Sequence, residues 1–92
     1  SVEDWNDLKI THDPQSGALY IRLRDGRVSE TLELVPDEPG FGAYLDIDES
    51  GNVIGAEFLS LEELGEFITR AGGELNLPDR VEDPANFHML PA

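Results

Sequence analysis

An α+β domain, built from an antiparallel meander of about five strands with one C-terminal helix packed on one face, follows from three features of the chain. Short apolar–polar alternations recur between turn clusters. After residue 60 they give way to a single stripe of helical period: Leu61, Leu64, Phe67, Ile68 and Ala71. Sheet and helix are each apolar on one side only, so each must cover the other. Ninety-two residues fit one domain, read as a body over 8–72 and an extended C-terminal tail over 73–92.

The first alternation runs from Leu8 to His12 and stops at the turn cluster Asp13-Pro14-Gln15-Ser16-Gly17. Ala18 to Arg24 alternates again, with Leu19, Ile21 and Leu23 on one side and Tyr20, Arg22 and Arg24 on the other. Asp25-Gly26 follows at once. This pair predicts a type I′ hairpin, whose central residues both need positive φ. Such a hairpin sets Arg24 opposite Arg27, Leu23 opposite Val28, Tyr20 opposite Thr31 and Leu19 opposite Leu32, so apolar side chains meet. It also leaves Glu30 on the apolar face, opposite Ile21.

Val35 to Gly40 reads as a loop. Phe41, Ala43, Leu45 and Ile47 then share a face, as do Ile54, Ala56 and Phe58. A short loop around Ser50-Gly51 aligns Ile47 with Ile54 and Leu45 with Ala56. Ser60-Leu61-Glu62-Glu63 is a capping box that starts the helix. Glu62 and Glu63 suit its positive end and Arg70 its negative end, and Gly72-Gly73 stops it. Asp83-Pro84 can begin one further helical turn.

Charge is the strongest compositional fact: 20 acidic against 6 basic residues, net −14. Residues 1–28 hold five acids and four bases, whereas residues 29–92 hold fifteen acids and two bases, −13 by count. Nucleic-acid binding needs Lys and Arg to displace phosphate counterions, so direct nucleic-acid binding is not expected, and the same repulsion argues against anionic membranes. No apolar run approaches the ~20 residues that span a bilayer, and no signal peptide is visible. The chain has no cysteine, which excludes thiolate chemistry and points to a cytoplasmic setting.

Several words of the chain, taken in order, carry a resemblance. They are Ile10-Thr11-His12-Asp13-Pro14, Gly17-Ala18-Leu19-Tyr20-Ile21-Arg22-Leu23, Val28-Ser29-Glu30-Thr31, and Leu45-Asp46-Ile47-Asp48 through Gly51 to Leu59. The chain resembles a bacterial and archaeal family of small proteins catalogued as domain of unknown function 2283, over roughly residues 8–62. The resemblance implies a compact β-rich domain and brings no activity or catalytic residues. Some such small proteins look like partners in toxin–antitoxin-type gene pairs. The long tail and the acidity depart from the family.

Four constellations carry candidate chemistry. Asp46, Asp48, Ser50, Gly51 and Glu57 match EF-hand positions 1, 3, 5, 6 and 12. Ile54 at position 9 and the strand-like flanks favour a hairpin, so calcium at 46–57, with Asp46, Asp48 and Glu57 as ligands, is the weaker alternative within a ligand- or metal-binding reading. Tyr20, Arg22, Thr31, Tyr44, Asp46 and Glu57 project from the outer sheet face as a candidate protein-binding surface. Glu30 on an apolar register could be a general acid or base, but no His, Ser or Lys is placed to complete a site. His12 and His88 lie far apart and form no cluster.

The expectation is a non-enzymatic protein-interaction module with no cofactor. Its partner would present a basic surface, which the chain would mask in the manner of an antitoxin. Contact is expected first at Asp37, Glu38, Glu62, Glu63 and Glu66, with Tyr20, Arg22 and Tyr44 as the second surface. Pairing of the edge strands, taken as 8–12 and 53–59, into a homodimer is a further expected outcome.

Overall fold

The computed structural model describes residues 9–87; Leu8 and His88 lie outside them. Five strands form one antiparallel sheet: β1 (Lys9–His12), β2 (Leu19–Arg22), β3 (Glu30–Glu33), β4 (Ala43–Ile47) and β5 (Val53–Phe58). One helix, α1 (Leu61–Arg70), follows the strands, and a short 3₁₀ turn spans Pro84–Asn86. The class is the expected α+β, but the sheet is not a meander. Its order is β1-β2-β5-β4-β3, a Greek-key arrangement in which β2 lies beside β5.

The Asp25-Gly26 hairpin therefore does not form. Tyr20 pairs with Glu57 and Leu19 with Phe58, while Thr31 pairs with Asp46 and Leu32 with Leu45. Residues 23–29 instead cross the ends of β5 and β4. The Leu23 and Arg24 amides donate to the Ile54 carbonyl at 2.8 and 3.3 Å, and the Ser29 amide donates to Ile47 at 2.8 Å. Two physical reasons favour this outcome. The hairpin would have set Arg24 directly against Arg27, a destabilising like-charge pair. It would also have left Val53-Ile54-Gly55-Ala56, all buried, on an edge strand. A continuous apolar run belongs in the middle of a sheet, and the polar β1 and the Glu-bearing β3 suit its edges. The 53–59 strand is accordingly central and does not supply an edge for dimerisation.

The β4–β5 hairpin keeps Leu45 opposite Ala56 and Tyr44 opposite Glu57, but Ile47 meets Val53 rather than Ile54. A bulge absorbs Ile54. Its side chain is fully buried under the 23–29 crossing, where a Cβ on Gly26 would stand 2.5 Å from Ile54 Cδ1. Glu30 sits opposite Ile47, not Ile21, and is exposed on the edge strand.

Ser60 caps α1, its Oγ accepting from the Glu63 amide at 3.2 Å. The helix ends in a Schellman motif: Gly73 donates to Ile68 at 2.8 Å and Gly72, at φ 93°, donates to Thr69. Phe67 is buried against Phe58, ring centroids 5.6 Å apart, and burying one such ring contributes roughly 1.5–3 kcal/mol. Leu61, expected in the apolar stripe, is 70% exposed at the first turn.

Residues 73–87 run back along the inner face. Leu75, Leu77, Val81 and Phe87 pack against the core. The Val53 amide donates to Asp79 and the Val81 amide to Gly51, at 2.9 and 2.8 Å. Helix and C-terminal stretch thus lie on the inner side of the sheet, and the outer side is left open among the described residues.

Candidate functional site

The strand registers generate two rows across the outer face. One runs Thr11, Tyr20, Glu57, Tyr44, Glu33; the other runs Lys9, Arg22, Gly55, Asp46, Thr31. All six residues expected on this face are there. Face parity survives the wrong strand partner because Tyr20 and Thr31 alternate outward whichever strand they pair with.

Asp46 organises the centre. Tyr20 Oη donates to its Oδ2 at 2.8 Å, and Thr31 Oγ1 donates to its Oδ1 at 2.6 Å. Tyr20 reaches Asp46 across β5 because Gly55 lies beneath the ring. A Cβ there would come within 2.7 Å of Tyr20 Cε1 and 2.5 Å of the Ile21 carbonyl oxygen. Arg22 stacks over the same ring at 5.7 Å from its centroid. Partial burial, and then the hydrogen bond to the Asp46 carboxylate, raise the Tyr20 phenol above its ordinary range. Nothing in the sequence periodicity announces the Tyr20–Asp46 bond, since it skips a strand. A glycine in the middle of an apolar strand was the available signal.

The calcium ligands are dispersed into other work. Asp48 closes the β4–β5 turn: Oδ1 accepts from the Ser50 and Asn52 amides at 2.9 and 2.8 Å, and Oδ2 from Asn52 Nδ2 at 3.1 Å. The Asn52 side chain first, and then these amides, hold the carboxyl below its ordinary value. Asp46 is bound to Tyr20 and Thr31, and Glu57 stands between Tyr20 and Tyr44. Among the described residues no group of three or more His, Asp or Glu side chains is placed to hold a metal ion.

Glu38, Glu63 and Glu66, proposed from the sequence for partner contact, are engaged within the fold. Glu38 and Glu66 both pair with Arg70, the latter at 3.0 Å, and Arg70 lies 5.3 Å from the Phe41 ring centroid. Glu63 accepts from the Gly42 amide and from Ser60 Oγ, clamping the helix start to the beginning of β4. Asp37 and Glu62 are exposed, Glu62 in the first helical turn. His12 is exposed on β1 opposite Leu19. No described helix is long and apolar enough to cross a membrane.

A family model described as Protein of unknown function (DUF2283) matches residues 9–61, covering all five strands and the start of the helix. No curated protein and no solved structure matches the chain. With more than half of its length matched, the chain belongs to the DUF2283 family of proteins of unknown function.

Proposed function

We propose that this protein is a non-enzymatic interaction module whose outer sheet face docks a basic protein partner. The observation that carries this reading is the outer face itself. It bears two half-buried tyrosines flanked by Glu57, Glu33 and Asp46, with Tyr20 already held in place by Asp46. Rigid aromatic side chains bind with little loss of conformational freedom. The net charge of −14 selects for a basic partner and repels phosphate-bearing ones. The helix and loop acids support the reading less, because Arg70 pairs with both Glu66 of the helix and Glu38 of the loop before β4.

The test captures a partner from the native host at low salt and follows association kinetics across a salt series. Reversing Glu33 and Glu57 to Lys should slow association strongly and leave dissociation less changed. Reversing Glu62 should have little effect. An on-rate indifferent to salt, or one governed by Glu62 rather than by Glu33 and Glu57, would refute the proposal.

A further inference from the structure

Among the described residues the sheet has two edges, β1 and β3, and they differ in what they offer a second copy. The Asp13 amide donates to the Ala18 carbonyl at 2.9 Å, continuing the β1–β2 ladder one residue past the strand. Backbone groups alternate sides along a strand, so the Thr11 and Lys9 amides also face β2. The N–H and C=O groups of Ile10 and His12 therefore point outward. All four β1 side chains are exposed, and Ile10, on the apolar side opposite Ile21, is 60% exposed.

The same reasoning at β3, from the Leu34 amide donating to Ala43 at 2.9 Å, turns the backbone groups of Thr31 and Glu33 outward. Self-pairing there would bring Glu30 and Glu33 of both copies into one interface. β1 carries Lys9 and no acid, and residues 1–28 hold only one more acid than bases. It is the edge at which two copies of a chain carrying −14 meet the least repulsion.

We infer that β1 is a homodimerisation edge, pairing antiparallel with β1 of a second copy about a two-fold axis at Thr11. Geometry admits axes at Ile10, Thr11 or His12. An axis at His12 would set Ile10 against Pro14, which has no N–H. The axis at Thr11 is the one that pairs the outward groups of Ile10 and His12 with each other and sets Lys9 against Asp13. Opposed residues must share a face, and the outward-pointing groups must meet. Ile10 then lies opposite His12 of the second copy, and His12 opposite its Ile10, giving four main-chain hydrogen bonds. Thr11 faces Thr11 on the outer side, and Lys9 faces Asp13 across the axis in both directions, an opposite-charge pair. The exposed Ile10 side chain gains a covering. The two outer faces join into one ten-stranded surface, related by an isologous contact that closes on itself.

The test is sedimentation equilibrium of the full chain over a concentration series. The expected result is a species of twice the 10.2 kDa chain mass. Ile10→Pro removes an outward donor and leaves the internal ladder intact, so it should weaken the dimer about tenfold or more. Glu33→Pro, the counterpart on β3, should leave the dimer unchanged. Amide exchange on the unaltered chain gives a readout that needs no variant: the Ile10 and His12 amides should exchange more slowly as concentration rises, while those of Thr31 and Glu33 do not. A chain monomeric throughout, a dimer lost with Glu33→Pro but not with Ile10→Pro, or β1 exchange independent of concentration would overturn the inference.

Discussion

Tyr20 on β2 and Asp46 on β4 are joined by a 2.8 Å hydrogen bond that passes over the intervening strand β5, where Gly55 provides the clearance. The bond links non-neighbouring strands and fixes the ring at the centre of the outer face. Gly55 is thereby covered by an aromatic side chain, a known way of compensating for a glycine within a sheet.

Removing the hydroxyl should therefore be felt. Tyr20→Phe is expected to lower stability by about 1 kcal/mol, and a double-mutant cycle with Asp46→Ala should show coupling of similar size. The phenol is raised above its ordinary value of 10.0, so the folded state retains a proton that the unfolded chain releases. The contribution is thus complete below pH 10.0 and is lost as pH rises beyond it. Denaturant unfolding at a series of alkaline pH values checks this, with the slope reduced in Tyr20→Phe.

Calcium should leave the melting temperature unchanged. The Asp48 oxygens are engaged by Ser50 and Asn52, and those of Asp46 by Tyr20 and Thr31. Melts with millimolar calcium and with chelator should superimpose; a calcium-dependent rise abolished by Asp48→Asn would contradict the turn-closing role. Because the Asp48 carboxyl is held below its ordinary 3.8, its support of the turn begins to fade near that pH. It is lost as pH falls through the depressed folded value, and Asp48→Ala should flatten that part of the acid-unfolding profile.

Gly51 serves two constraints. Its φ is 87°, and a Cβ would stand 2.5 Å from the Val81 carbonyl oxygen, which belongs to the returning C-terminal stretch. Gly51→Ala should cost roughly 1–3 kcal/mol and loosen the Asp79–Val81 pairing as well as the turn. Amide exchange at Val53 and Val81 reads the second effect directly; unchanged protection there would separate the turn from the C-terminal clasp.

These particulars show what a sequence can carry. Local signals translated well: the Ser60 cap, the Gly72-Gly73 stop, the Ser50-Gly51 turn and the outward parity of Tyr20, Arg22, Tyr44, Asp46 and Glu57 all depend on residues close in the chain. The choice of strand partner did not, because Asp25-Gly26 is a sound local hairpin signal that tertiary burial of Val53 to Ala56 outweighs. The like-charge pair Arg24 and Arg27 was the legible warning. Gly26 still matters, for a different reason than the turn: it faces the buried Ile54. The pairing of Glu38 with Arg70 was hidden for the same cause, since the two meet only through the fold, whereas Glu66 and Arg70 pair locally at i,i+4.

The Gly55 clearance gives the most discriminating expectation for the outer face. Gly55→Ala introduces a methyl group within 2.7 Å of the Tyr20 ring and 2.5 Å of the Ile21 carbonyl oxygen, an overpacking expected to cost about 1–3 kcal/mol. The ring must lift, and its hydroxyl must leave Asp46. The Tyr20–Asp46 coupling should therefore fall from about 1 kcal/mol toward zero in the Gly55→Ala background, while Thr31 retains its bond to Asp46 from the other side. Repeating the double-mutant cycle in both backgrounds measures this. A coupling that survives intact would mean that the ring does not depend on the glycine beneath it, and that the organisation of this face has another origin.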